Sequence, residues 1–496
     1  MARITHWIDN KPWGGTPSRT GDVHDPATGA VTAKVDFATA AEVDEAVSAA
    51  DRAFATWRHV TLSRRVELLF SFRDLLARAR GELAEIISAE HGKTRADARG
   101  EVERGLDVVE FACGIPHLLK GDLSENVSTD LDCWSIRQPL GVVAGVTPFN
   151  FPAMVPLWMF PMAIACGNCF VLKPSEKDPS ASVRLAELLA EAGLPEGVLN
   201  VVHGGEEAVG ALLDHPRVAA VSFVGSTPVA RSIYERATRA GKRAQALGGA
   251  KNHMVVLPDA DLDLAADAAV SAGYGSAGER CMAISTVVAV GSVADALVER
   301  IAERVGALRV GPGGDPEAQM GPLVTRAHRD RVAGYLEAGV AAGARLAVDG
   351  RRHAVPEGDG YWLGPSLLDH VTPEMSVYTD EIFGPVLVVL RAASYDEALA
   401  LVNANPYGNG TAIFTNDGGA ARRFQHEVEV GMVGVNVPIP VPMAYYSFAG
   451  WKDSLFGDAG VYGADAVRFY TRVKAVTSRW PDPSHGGVNL GFPVST

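Results

Sequence analysis

Gly141-Val-Val-Ala-Gly-Val-Thr-Pro-Phe-Asn-Phe-Pro152 is the stretch that sets the architecture of this chain. Its first six residues form a short apolar run bounded by glycine, as expected for a strand buried on both faces. Similar runs occur at residues 169–172, 198–202 and 218–223, with helical patterns at 180–192 and 206–213 between them. Strands that alternate with helices imply parallel βαβ units, so the chain is expected to be α/β with a nucleotide-binding type of sheet. A second strand-helix series begins near Met254 and continues through 286–290, 294–308, 386–390 and 412–414, which reads as a separate domain. Ahead of both, residues 40–57 and 63–91 carry apolar side chains at helical spacing, among them Val66, Leu69, Phe70, Leu75 and Leu76, with Ser63 placed to cap the second helix. The Pro-, Gly- and Ser-rich tail from Trp480 reads as an extended arm or loose terminus.

The 496 residues suffice for about three domains. Lys and Arg total 45 against 59 Asp and Glu, a net charge of -14, which argues against nonspecific attraction to nucleic acid or anionic membrane. No stretch approaches the roughly 18 apolar residues of a membrane span, and the first ten residues lack a signal pattern. Five cysteines in this length argue against a disulfide framework. A cytosolic, reduced protein is expected.

Cys281, in Gly-Ser-Ala-Gly-Glu-Arg-Cys-Met-Ala (275–283), reads as a nucleophile in a polar turn, with Arg280 beside it to favour the thiolate. It reads equally as a small buried apolar residue. Two nearby patterns are decoys. Gly273 to Gly278 has the spacing G-x-G-x-x-G, but a helix precedes it and a strand follows, the reverse of a dinucleotide fingerprint. Cys166-Gly-Asn-Cys169 lacks a second Cys or His pair to complete a zinc site, so buried packing is expected. In Phe223-Val-Gly-Ser-Thr227, Gly225 allows a tight turn and Ser226 or Thr227 can cap the next helix, leaving its amides to face a phosphate. An ordinary capped turn explains that segment as well. Lys173 and Glu176, in Lys-Pro-Ser-Glu, can reach a ribose or can form a surface ion pair. A carboxylate there disfavours a 2′-phosphate and so favours NAD over NADP. Asn150, bounded by two prolines, suits an oxyanion hole or a plain turn.

Taken together and in order, Pro-Phe-Asn-Phe-Pro, Lys-Pro-Ser-Glu, Phe-Val-Gly-Ser-Thr, the glycine-rich turn before Cys281 and Glu381-Ile-Phe-Gly-Pro-Val386 resemble the aldehyde dehydrogenase superfamily over nearly the whole chain. The resemblance implies a Rossmann-like NAD domain at 1–121 and 139–247 and an α/β catalytic domain at 248–447. It also implies a small oligomerisation element at 122–138 and 448–496, in a homodimer or homotetramer. By the same resemblance Cys281 is the nucleophile, and Asn150 with the Cys281 amide forms the oxyanion hole. Phe149, Lys173, Glu176, Gly225, Ser226, Glu381 and Phe383 would hold NAD.

One departure stands out. Hydrolytic members carry a glutamate in Glu-Leu-Gly-Gly-Lys, whereas this chain reads Gln245-Ala-Leu-Gly-Gly-Ala-Lys251, which puts Leu247 at the position of the water-activating carboxylate. Without that base, water attack on a thioester should lose much of the roughly 10²–10⁴-fold such a group contributes. The variant Gly-Ala-Lys-Asn-His, Glu-Arg-Cys-Met-Ala and Pro438-Ile-Pro-Val-Pro442 resemble the CoA-acylating branch, which oxidises methylmalonate and malonate semialdehydes with decarboxylation to propionyl-CoA or acetyl-CoA. That resemblance implies coenzyme A as cosubstrate and assigns the substrate carboxylate to Arg104 and Arg280. From the residues alone, Arg104 reads as an exposed helical partner of Glu101 or Asp107. A hydrolytic dehydrogenase with another base, and a silent dinucleotide-binding protein, are the alternatives.

Overall fold

The structure, a computed structural model, describes residues 1–480. The expected strand at 141–146 runs Val142–Val146 with every residue buried. It stands inside an eight-stranded sheet whose five central strands are parallel, in the order Arg243–Leu247, Val218–Val224, Val142–Val146, Cys169–Lys173 and Leu199–Val201. Winding therefore starts at Val142–Val146, proceeds to one side for two strands, then restarts on its other side with Val218–Val224. Open α/β sheets bind ligands beyond the carboxyl ends of the strands at such a reversal. Thr147 to Asn150 leave one of those two ends, and Gly225 and Ser226 leave the other.

The second series forms a seven-stranded sheet, ordered Arg345–Val348, Ser366–Asp369, Val386–Ala392, Ile284–Val290, Asn252–Val256, Gly410–Phe414 and Met432–Val435. All its pairings are parallel except that of Arg345–Val348. Each large sheet has its own apolar core, and Met282 of the Cys281 turn packs into the core of the first sheet, although the turn leads into the second. The cysteine therefore sits at the seam of the two sheets. Helix Met154–Ala165, entered through Pro152, is buried along its full length. Its Trp158 lies 4.9 Å from the ring of Phe448 and 5.3 Å from that of Tyr462, centre to centre, which ties the seam to the C-terminal region.

Leu123–Ser128, Leu131–Pro139 and Thr471–Arg479 form a third, antiparallel sheet, which unites the 122–138 segment with part of the 448–496 segment. The expected arm from Trp480 falls outside the described residues except for Trp480 itself, whose indole donates to Asp132 at 2.8 Å. Among the described residues no helix is long and apolar enough to cross a membrane.

Two local expectations need correction. Helix Leu62–His91 is capped by Thr61, whose side chain accepts from the Arg64 amide, so Ser63 lies inside the first turn. Phe70 on that helix is exposed while Leu69 and Leu76 are buried, because it faces away from the sheet-side stripe. Cys166 and Cys169 are both buried among apolar residues, and no metal-holding cluster occurs among the described residues.

Candidate active site

Asn150 is held by its main chain before its side chain is considered. The Lys93 ammonium donates to the Asn150 carbonyl at 2.6 Å and to Glu101 Oε2 at 2.8 Å, and both charged side chains are fully buried. Glu101 Oε1 in turn accepts the amides of Ala153 at 2.8 Å and Met154 at 3.1 Å, which begin the buried helix. The first amides of a helix have no partner within it, so a carboxylate supplied from another helix is a strong cap. Ser182 secures the segment again by donating to the Pro152 carbonyl at 3.0 Å.

The Cys281 turn is built differently. Helix Leu262–Tyr274 ends in a tight turn where Ser276, Ala277 and Gly278 have φ of +54°, +52° and +73°. Left-handed backbone costs roughly 1–2 kcal/mol per non-glycine residue. At Gly278 even a methyl group is excluded, since a Cβ would stand 2.2 Å from the Gly384 carbonyl oxygen. The approach to Cys281 is thus constrained. Beyond the turn, the Cys281 carbonyl accepts from Asn252 Nδ2 at 2.9 Å and Asn409 Nδ2 at 3.1 Å, fixing the residue without adding a charge.

Cys281 is half-buried, and its thiol is pushed up to about 12, first by burial and then by the Glu381 carboxylate. Hydrogen bonds from the amides of Cys281 and Met282, and the charge of Arg280, act in the opposite sense and are outweighed. Arg280 thus favours the thiolate, as its place beside the cysteine suggested, but burial and Glu381 outweigh it. Its guanidinium donates to Asp97 Oδ1 at 2.6 Å and lies against Gly275, where an added Cβ would stand 2.5 Å from Nη1. Sequence adjacency placed the charge beside the cysteine, but the ion pair draws it toward helix Arg95–Cys113.

A cavity of about 360 Å³ brings Cys281, Arg280 and Arg104 together, with Phe151, Trp158 and Phe448 in its wall. Arg104 pairs with Asp107 at 3.1 Å, as one reading of the helix expected, and also donates to the Pro442 carbonyl at 3.0 Å. Glu101, the other expected partner, is committed to Lys93 and the helix amides. A second cavity, about 520 Å³, shares Arg280 and Asp97 with the first.

The residues expected at the cofactor lie around the sheet reversal and the seam. Lys173 and Glu176 pair at 3.3 Å, with Lys173 buried rather than at the surface. Ser226 is the residue before helix Thr227–Arg239, yet its side chain makes no capping bond, so the first-turn amides other than that of Pro228, which has no N–H, are not capped by it. Gly225 is where a Cβ would meet the Phe223 ring at 2.4 Å. Phe149 and Phe383 meet edge to face at 5.9 Å, with Lys177 4.3 Å above the Phe149 ring. Phe383 has φ of +59°, a strained value for an aromatic residue, and its carbonyl is bonded by His328 Nε2 at 2.6 Å. Glu381 accepts the Ala250 amide at 2.9 Å and lines a small cavity with Cys281 and Phe383. Burial pushes its carboxyl up to about 7. Leu247, at the end of its strand, is buried and follows Ala246, so no carboxylate arises from that strand end.

Residues 13–476 match the model of the aldehyde dehydrogenase family. The chain belongs to that family. It is 55% identical over 491 residues to a malonate-semialdehyde dehydrogenase of Pseudomonas aeruginosa, covering 98% of this chain and 99% of the relative. A malonate-semialdehyde dehydrogenase of Geobacillus kaustophilus is 52% identical, over 96% of this chain and 99% of its own. Among solved structures, the methylmalonate-semialdehyde dehydrogenase of Oceanimonas doudoroffii superposes with a TM-score of 0.96 at 54% identity, covering 98% of this chain and 99% of that one. A Sinorhizobium meliloti protein assigned the same activity and complexed with NAD gives 0.96 at 53%, over 97% and 99%. This aldehyde dehydrogenase thus has the fold that its sequence motifs implied.

Lys93, Glu101, Asn252 and Asn409 were not singled out for these roles from sequence. Asn252 lies in the Gly-Ala-Lys-Asn-His variant and was the nearest to being legible; the others carry no local signal that separates them from surface polar residues.

Proposed function

We propose that this dehydrogenase oxidises methylmalonate and malonate semialdehydes with NAD, releases the β-carboxylate, and transfers the remaining acyl group from Cys281 to coenzyme A. The single observation that carries the reading is the cavity shared by Cys281, Arg280 and Arg104, in a chain whose expected water-activating position is Leu247. The relatives named for these semialdehydes support the choice of substrate. Arginine suits it, because its planar fork can bind a carboxylate through two parallel hydrogen bonds.

Phe149, Lys173, Glu176, Gly225, Ser226, Glu381 and Phe383 would hold NAD, which when bound supplies the hydride acceptor. The uncapped start of helix Thr227–Arg239 suits a pyrophosphate, since its free amides and dipole favour an anion. In the reaction, Cys281 Sγ adds to the aldehyde carbon after losing its proton. Asn150 and the Cys281 amide stabilise the resulting oxyanion. Loss of hydride leaves a thioester on Cys281. Arg280 and Arg104 hold the carboxylate until it departs as carbon dioxide, which water can hydrate to bicarbonate; the carbanion left behind is delocalised into the thioester and takes a proton from solvent to give the propionyl or acetyl thioester. The CoA thiolate then displaces the acyl group and restores the Cys281 thiol once it is protonated. A thiol needs less activation than water, so a buried leucine in place of a carboxylate is compatible with acyl transfer and hostile to hydrolysis.

Incubation with NAD, CoA and each semialdehyde, with mass analysis of the product, tests the proposal. Propionyl-CoA and acetyl-CoA are expected. Free acid as the sole product would rule the reading out.

A further inference from the structure

Asn150 is buried in a loop that contains two prolines, and prolines alone do not anchor a loop to its surroundings. The anchoring comes from the buried pair Lys93 and Glu101. Lys93 holds the Asn150 carbonyl, Glu101 holds the Ala153 and Met154 amides, and the two side chains join each other at 2.8 Å. The ammonium also stands 4.4 Å above the ring of Phe151, one of the two residues between these attachment points. Both ends of the five-residue segment from Asn150 to Met154 are therefore gripped by one rigid bridge. Its feet stand on the turn after helix Leu62–His91 and on helix Arg95–Cys113.

We infer that Lys93 and Glu101 are positioning residues for aldehyde oxidation: they fix the Asn150 main chain so that its side-chain amide is preorganised for the developing oxyanion. The inference rests on Asn150 being an oxyanion donor. Taking two charges out of water is expensive, and an apolar pair of equal volume often serves stability as well or better. What an apolar pair cannot do is donate to a carbonyl and accept two helix amides at once. The bridge does both. Preorganised donors are effective because they need not reorient during the reaction, and small displacements at such a site weaken them.

The test is a double-mutant cycle on the full chain, using Lys93→Met, Glu101→Gln and Asn150→Ala, read by NADH formation, NAD affinity by calorimetry, and alkylation of Cys281 by iodoacetamide. Removing one oxyanion donor costs roughly 10²–10³ in kcat, so loosening it through Lys93→Met should cost about 10–10²-fold. NAD affinity and alkylation rate should stay within about twofold, since neither needs an oxyanion hole. In the Asn150→Ala background, Lys93→Met should add little, because a group acting through Asn150 has nothing left to position. Lys93→Arg, which keeps the charge and the donors, should recover part of the loss and is the variant to use if Lys93→Met does not fold. Independent, multiplicative losses in the cycle would overturn the inference. So would normal turnover in Lys93→Met and Glu101→Gln beside a crippled Asn150→Ala. Normal turnover in Asn150→Ala would instead strike the oxyanion assignment beneath it.

Discussion

The loop carrying Asn150 leaves the carboxyl end of a parallel strand and its main chain is held by a buried ion pair, whereas the Cys281 turn enters the amino end of a strand in the other sheet and the Cys281 main chain is held by neutral amides. The ion pair of Arg280 and Asp97 stands one residue before it. The contrast follows from what each loop must present. A carboxylate near a thiol raises its pKa, as Glu381 does at Cys281, so anchors made of Asn252 and Asn409 hold Cys281 without a further charge. Around Asn150 the bridge of Lys93 and Glu101 joins one positive and one negative group, so it can be rigid without adding net charge. The Asn150 main chain is thus held by charged groups and the Cys281 main chain by backbone strain with neutral donors.

Breaking the cysteine half should have the largest effect. Cys281→Ser is expected to lower turnover by at least about 10³-fold, since the nucleophile cannot be replaced by the oxyanion donors alone. Stopped-flow NADH formation checks this, and near-normal rates would remove Cys281 from its role. On the other half, Asn150→Ala should reduce kcat by roughly 10²–10³ with the KM for NAD little changed. Arg280→Leu tests the side chain that the Cys281 turn presents to the cavity. Charged hydrogen bonds contribute about 1.5–3 kcal/mol, so the KM for a carboxylate-bearing semialdehyde should rise on the order of 10–10²-fold. An uncharged aldehyde of similar length should be unaffected; equal losses on both would point to general damage.

The smallest effect probes the electrostatics of the contrast. Because the Glu381 carboxylate raises the thiol and titrates near 7, Glu381→Gln should lower the Cys281 pKa and speed iodoacetamide labelling several-fold at pH 9, where Glu381 is ionised. Below pH 6 the difference should vanish, since protonated Glu381 carries no charge. In the unaltered protein, labelling should keep rising between pH 7 and 10, as the thiolate fraction grows tenfold per pH unit well below the pKa. A plateau below pH 8 would contradict the assignment of a high thiol pKa.

The centre of the first sheet was legible because Val142–Val146, Cys169–Lys173 and most of Val218–Val224 are buried on both faces and read as apolar runs bounded by glycine, proline or asparagine. The 142–146, 169–173 and 218–224 strands lie within a residue of their expected limits. Helix caps were less legible: Thr61 and Ser63 are both hydroxyl residues near one start, and only the geometry selects Thr61. The ion-pair partner of Arg280 was illegible for a similar reason. Neighbouring residues in sequence need not share an environment when the chain turns sharply between them, and Asp97 lies 183 positions away. The bridge that holds Asn150 joins residues 8 and 57 positions apart, so no local pattern announces it.

CoA dependence tests the central claim most directly. Mixed with NAD and malonate semialdehyde but no CoA, the enzyme should form about one NADH per Cys281 and then slow sharply, because the thioester has no efficient acceptor. Addition of CoA should restore steady turnover with acetyl-CoA as product. Sustained NADH formation without CoA, at the same rate and yielding free acid, would contradict it.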